Sequence, residues 1–401
     1  MFGLKSVYFY LIACQIILIK TLKKIYFSSK NYNKSLESIT PQQVYYNPNP
    51  FLLSIITTYK KQLFKISEID PNLFWIEDKK KDFKEINSFF WLNLIDRKTD
   101  HKKIKKIIYI WMLKNFKYRK ETWDTSTLSR RIISWILNID IILNNSTFDF
   151  RRNFLSSIIA QTNHLKRNIR FEKDYKKKLE ILTSIILSGL VFKEYKDNYK
   201  LGISELESLV KAFFDNEGFP LSRNPNDLFF FTKYLLLCKE VIRDSQEYVP
   251  EFLEDIIEKN IVCLNFIKTP NNQLPLFNGS TVTNLNQLDK YLENTKQEKN
   301  LNKYIGGLFK AKHKTHQVFI DIEEPPQKNL SKCYQSGPLS FEYFLDGLKI
   351  VSNSGFGVNI SKKAEILSRL TACQSTLTLN DTSVTKFEKN ELINRVFGNS
   401  I

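Results

Sequence analysis

The sequence predicts an α+β multidomain fold, a long helical region followed by an antiparallel β domain that begins near residue 303. Between residues 52 and 300, apolar residues recur at helical spacing in successive blocks separated by short polar joins. Beyond 303 the period changes to two, with Val318, Ile320 and Ile322 alternating with other residues. An Asp346-Gly347 pair between Leu339–Phe344 and Leu348–Val351 then gives a strong hairpin signal. A chain of 401 residues is long enough for two such domains.

Residues 1–51 read as an N-terminal helix and an extended connector. Val7 to Ile19 is apolar apart from Gln15 and is followed by Lys20, Lys23 and Lys24. A single Lys5 ahead of it and no small-x-small site make a poor signal peptide. Leu11-Ile12-Ala13-Cys14 resembles a lipoprotein cleavage box, yet the apolar run continues through Ile19. An amphipathic helix packed on the body accounts for the same residues, so both readings stand. No stretch reaches the roughly 20 apolar residues of a membrane-spanning helix. The prolines at 41, 48 and 50 disfavour helix in the residues before them, which makes 41–50 the connector.

The helical domain, 52–300, opens with Ile104, Ile107, Ile108 and Trp111 on one helix face and Lys102, Lys103, Lys105 and Lys106 largely on the other. A basic face of this kind suits a nucleic-acid reader and equally a solvated surface. Further helices are expected over Leu128–Leu143, Phe154–Asn168, Tyr175–Phe192, Ser204–Phe214, Asn226–Val241 and Pro250–Phe266, as consecutive antiparallel hairpins. The β domain, 303–401, is expected to hold five or six strands, including Ser375–Leu379 ahead of an Asn380-Asp381 turn. Five strands leave an open edge, so the sequence is expected to stop short of the end of this domain.

Composition narrows the chemistry. Five scattered cysteines with no C-x-x-C pair argue against a disulfide scaffold or a zinc knuckle. Four histidines, His101, His164, His313 and His316, offer little to a metal centre, and neither metal nor cofactor is expected. No phosphate loop, dinucleotide fingerprint or HExxH string occurs. Ser222 and Ser375 have no histidine placed beside them, against a serine hydrolase. The net charge of +18 is uneven: residues 1–200 carry 37 Lys and Arg against 18 Asp and Glu, residues 201–401 carry 23 against 24. A basic first half suggests an anionic partner, although a bias toward Lys, Asn and Ile codons produces charge of the same sign.

Several strings carry a resemblance. In the helical region they are Trp123 followed by Leu128-Ser129-Arg130-Arg131-Ile132-Ile133-Ser134-Trp135, then Glu217–Pro225 (EGFPLSRNP), then Leu276-Phe277-Asn278-Gly279. In the β domain they are Gly337-Pro338-Leu339-Ser340-Phe341-Glu342, Val351-Ser352-Asn353-Ser354-Gly355 and Arg369–Leu377 (RLTACQSTL), running on through Asp381-Thr382-Ser383. In order and spacing these resemble the heparinase II/III-like polysaccharide lyases over about 85 to 398. The resemblance implies an (α/α) toroid of helical hairpins followed by a β-sandwich, with substrate in the cleft between them. It further implies β-elimination on an anionic, uronic-acid-containing polysaccharide, and a place in the cell envelope or periplasm.

Such a reaction removes the C5 proton, stabilises the charge developing on the carboxylate and protonates the leaving oxygen, usually with Asn or Arg, His and Tyr. The family's positions for these groups resemble Lys176 and Lys177 (an Asn-His pair), Pro220 (a His), Asp227 (a Tyr), Gln335 and Gln374 (two His). Glutamine hydrogen-bonds a carboxylate but does not titrate near neutrality. The catalytic candidates are therefore Arg223, Tyr304, Lys176 and Lys177, and the substrate-binding candidates Arg223, Asn224, Gln335 and Gln374. Asn224-Pro225 equally suits a helix cap, and Tyr304 equally suits a buried core position. A binding descendant without turnover is the alternative function. A nucleic-acid role would need the Lys102–Lys120 face on phosphates and has no recognition motif behind it.

Overall fold

The computed structural model describes residues 4–57, 70–72, 74–75, 83–97, 101–293, 303–327, 329–378, 380 and 382–385. Its helices are α1 (Leu4–Ser28), α2 (Lys30–Leu36), α3 (Phe83–Ser88), α4 (His101–Asn115), α5 (Thr125–Leu137), α6 (Ile139–Leu143) and α7 (Phe148–Asn168). They continue with α8 (Tyr175–Val191), α9 (Lys196–Phe213), α10 (Pro225–Asp244), α11 (Glu251–Ile267) and α12 (Asp289–Glu293). The strands β1 (Tyr304–Ile305), β2 (Leu308–His313), β3 (His316–Asp321), β4 (Phe341–Leu345) and β5 (Leu348–Val351) precede α13 (Lys362–Leu367). The chain forms two compact units, one of Leu22–Leu209 with Lys233–Glu254, the other of Met1–Thr21, Val210–Thr232 and Asp255–Ile401.

The first unit is helical, and α5 packs on α3, α7 and α8 at its centre. Leu128, Ile132, Trp135 and Ile136 are fully buried there. The expected single helix over 128–143 is two, because Asn138 leaves helical geometry (φ −114°, ψ 20°) with its amide bonded back to the Ser134 carbonyl. Helix α4 buries Ile104, Ile107, Ile108 and Trp111, as their spacing requires. Helix α9 begins eight residues before Ser204, where the sequence placed its start.

Arg131 is the most unusual core residue. It is fully buried, donating to Gln161 Oε1 (2.8 Å) and to the carbonyls of Asn87 (3.0 Å) and Thr122 (2.9 Å), with its guanidinium 4.3 Å from the Trp111 ring centre. Burial pushes its pKa well down. A second polar feature is His164, which shares a 2.7 Å hydrogen bond with the Tyr32 hydroxyl among the rings of Phe27, Tyr118 and Trp123. Burial, reinforced by Arg167, lowers the His164 pKa to about 4.

In the second unit the strands form one antiparallel five-stranded meander in the order β1-β2-β3-β4-β5. The β4–β5 turn has Asp346 at φ 50° and Gly347 at φ 81°, the left-handed pair a two-residue hairpin demands. Gly306 and Gly307 (φ 57° and 81°) join β1 to β2 and allow a close approach. A Cβ at Gly306 would lie 2.2 Å from the Phe219 ring, and one at Gly307 would lie 2.3 Å from Arg223 Nη2. The strand expected at Ser375–Leu379 does not form over its described part, 375–378. Ser375 N and Oγ both bond Asn353 Oδ1 (3.0 Å each), and Thr376 Oγ1 donates to the Pro338 carbonyl, so side-chain bonds replace a ladder. Leu379 and Asp381 lie outside the described residues.

Candidate functional site

The polar residues of the β-containing unit are bonded to the protein itself. Arg223, 7% exposed and at φ 56°, pairs with the buried Asp321 carboxylate. It also donates to the carbonyls of Gly307 (3.2 Å), Glu323 (3.1 Å) and Glu324. Burial raises the Asp321 carboxyl, opposed by Arg223 and Asn278. Asn224 Oδ1 accepts from Asn226 N (2.9 Å) at the start of α10, where Ser222 Oγ donates to Asp227 Oδ2 (2.7 Å), so the helix's amino end is filled by its own chain.

Gln335, 2% exposed, accepts from Gly279 N (3.0 Å) and donates to the carbonyls of Gly355 (3.0 Å) and Ser368 (2.8 Å). Gln374 donates to the same Ser368 carbonyl at 2.8 Å, so the structure brings these two candidates together on a backbone oxygen. Tyr304, 37% exposed, donates to Glu323 Oε2, and burial followed by that carboxylate pushes its pKa up to about 12. Other motif residues knit the fold in the same manner. Glu342 pairs with Lys349 at 3.0 Å, Asn353 holds Ser375, and Arg369 Nε donates to the Tyr334 carbonyl (2.9 Å).

Lys176 and Lys177 belong to the helical unit, in the first turn of α8. Asp174 caps that helix, accepting from Lys176 N (3.1 Å) and Lys177 N (3.3 Å), so its amide donors are already engaged. The side chains of both lysines are half-buried. One turn further along the same face is Glu180, 1% exposed. Its Oε1 accepts from Arg130 Nε of α5 (2.7 Å) and from the Tyr234 hydroxyl of α10 (3.2 Å), and its Oε2 has no hydrogen-bond partner.

The Arg130 side chain keeps 37% of its surface exposed. Burial alone would lower its pKa, but Glu180 and Tyr234 outweigh it and the net shift is upward. Lys233, beside Tyr234, is pushed down to about 8 by burial and then by the Arg130 charge. Burial, with Glu180, raises the Tyr234 phenol well above its usual range, so it is a hydrogen-bond donor and no base.

Sequence reasoning named Lys176 and Lys177 but missed Arg130, Glu180, Lys233 and Tyr234 as a group. One signal was present. Glu180 is a lone carboxylate at the head of the almost wholly apolar run Leu179–Val191, and a carboxylate buried there needs a cation. The cluster holds Arg130 on the one buried carboxylate and Lys233 within reach of the Arg130 charge, with Lys176 and Lys177 a turn away from Glu180 along α8. Such an arrangement has the chemistry to attract an anion, and burial with the Arg130 charge favours the neutral form of the Lys233 amine. Among the described residues, no group of three or more His, Cys, Asp and Glu side chains is placed to hold a metal.

A helical region followed by an antiparallel sheet with these strings defines a class. Residues 304–398 match the family described as Heparinase II/III-like, C-terminal, the same resemblance the strings carry. Similar solved structures include a crystal structure of heparinase III, 13% identical with a TM-score of 0.63, over 85% of this chain and 64% of that one. A mutant of the heparan sulfate lyase HepC from Pedobacter heparinus is 18% identical with a TM-score of 0.59, over 85% and 62% respectively. A further heparinase III gene product is 17% identical with a TM-score of 0.58, over 82% and 60%. At these identities the likeness is one of fold, a polysaccharide lyase-like fold, and this chain spans less than two thirds of each of these structures. No curated protein matches it.

Proposed function

We propose that this protein acts on an anionic, uronic-acid-containing polysaccharide of the cell envelope by β-elimination, through the Arg130–Glu180–Lys233 cluster with Lys176 and Lys177. The carrying observation is a half-exposed Arg130 held on the buried Glu180 carboxylate in the helical unit, with Lys233 close enough to feel its charge. Arg130, oriented by Glu180 and Tyr234, faces the uronate carboxylate and stabilises the charge that grows there once the C5 proton leaves. Lys233 takes that proton, since its lowered pKa leaves a neutral amine available near pH 8. Lys176 or Lys177 returns a proton to the leaving oxygen. The similar structures named heparinase III and heparan sulfate lyase, together with the basic first half of the chain, support a glycan substrate of this charge.

A second reading, binding without turnover, is favoured by Pro220, Gln335 and Gln374 at positions where the resemblance implies histidines. Incubation with a panel of uronic-acid polysaccharides separates the two, because β-elimination creates an unsaturated uronate that absorbs in the ultraviolet. Turnover rising from pH 7 to 9 and lost in Lys233→Gln is expected for the lyase. Salt-sensitive binding with no absorbance change on any polymer would leave the binding role.

A further inference from the structure

We propose that α1 is a membrane-surface helix that docks its apolar face on an anionic lipid bilayer. Val7, Leu11, Leu18, Leu22 and Ile25 are all exposed, and their spacing sets them along one face of the helix over its length, with exposed Cys14 between them. Exposed Tyr8, Ile19 and Tyr26 flank the stripe. The opposite side is the covered one. Ala13 is buried, Ile16, Ile17 and Phe27 are half-buried, and Lys23 stands 3.7 Å from the ring centre of Phe171. An amphipathic helix packed on a protein body hides its apolar face, whereas α1 presents a continuous apolar stripe to solvent.

Charge identifies the occupant. From Leu4 through Leu36 there are six lysines and no acidic residue, and Lys20, Lys24, Lys30 and Lys34 are exposed. Apolar and aromatic residues on one face with lysines away from it are the pattern of a helix lying in the lipid interface, where headgroup phosphates meet the cations. A second copy of this chain would instead oppose lysine to lysine, with no carboxylate in the helix to relieve the repulsion. Helix α1 does not span: no described helix is long and apolar enough to cross a membrane. A lyase-like protein held this way would work on polymer close to the bilayer, but the inference stands on α1 alone and does not depend on turnover.

The test is co-sedimentation of the full chain with vesicles of phosphatidylcholine alone or mixed with phosphatidylglycerol. Binding at least about tenfold tighter to the mixed vesicles is expected, falling in about 0.5 M salt. Leu11→Glu with Leu18→Glu should weaken it about tenfold or more. Replacing Lys20, Lys24, Lys30 and Lys34 by Gln should remove the preference for phosphatidylglycerol, with an unchanged circular dichroism spectrum and melting midpoint. Should the Glu variant misfold, the lysine variant decides alone, since a retained preference for phosphatidylglycerol overturns the proposal. Equal binding to both vesicles overturns it, as does wild-type protein that ignores both, whether it sediments as a monomer or as a dimer paired through α1.

Discussion

Two arginine pairs, one in each unit and each on a buried carboxylate, have opposite characters. Arg223 of the β-containing unit directs both terminal nitrogens at Asp321 and three backbone carbonyls, leaving Nε without a partner, and both side chains are buried. Arg130 of the helical unit meets Glu180 through Nε while over a third of its side chain is exposed, and Lys233 adds a second cation. Arg223 sits in one of the strings that resemble the heparinase II/III-like lyases, and so do Glu342, Asn353 and Arg369, with Gln335 two residues ahead of another, all bonded to their own fold. Arg130 is also in such a string, but its partners Glu180, Lys233 and Tyr234 are not. The comparison teaches that residues of a recognisable string can serve to hold backbone together, while the proposed chemistry joins Arg130 to residues that no string marks.

The comparison breaks first at Arg223. Arg223→Ala leaves the Asp321 carboxylate buried without its cation and removes a donor from the Glu323 and Glu324 carbonyls, so a loss of about 3–5 kcal/mol is expected in denaturant unfolding. A variant that unfolds like the wild type but fails to bind polymer would make Arg223 a substrate residue instead. Gln335→Ala should cost about 1–3 kcal/mol, because the Gly279 amide loses its partner in a buried place, while the Ser368 and Gly355 carbonyls keep Gln374 and Ser354. Lys233→Gln should leave the protein at least as stable at neutral pH, since it removes a buried charge, and weaken polysaccharide binding at low salt about tenfold, one charge contact being worth on the order of 1–2 kcal/mol in a half-buried site.

Two pH effects sharpen the contrast. The folded pKa of Lys233 near 8 lies below its ordinary 10.5. Between those values the unfolded chain holds a proton that the folded chain has released, so stability rises with pH across this window. Polymer binding falls across the same window as the charge is lost, and titration of binding alongside unfolding shows the opposed slopes. His164, at about 4 against 6.5, should make stability fall as pH drops from 6.5 to 4, since only the unfolded chain takes up the proton. His164→Phe should flatten that slope in acid unfolding curves.

Much of the fold is legible because periodicity and turn chemistry act locally. The Ile104–Trp111 stripe and the Asp346-Gly347 hairpin needed nothing from distant residues. The break at Asn138 and the missing ladder at 375–378 escaped, since each depends on a side chain bonding backbone in place of the regular pattern. The candidate site was legible only at Lys176 and Lys177. Arg130, Glu180 and Lys233 come from three helices, and only packing α5 and α10 beside α8 turns Glu180 from an anomaly in an apolar run into the anchor of a cationic cluster.

The most direct test of the helical unit as the place of action is the affinity of a variant carrying Lys176→Gln, Lys177→Gln and Lys233→Gln for a uronic-acid polysaccharide at low salt. A loss of a hundredfold or so, a flattened salt dependence and a melting midpoint no lower than the wild type's are predicted. Affinity equal to that of the wild type would contradict it and return the search to Tyr304 and the residues around Arg223.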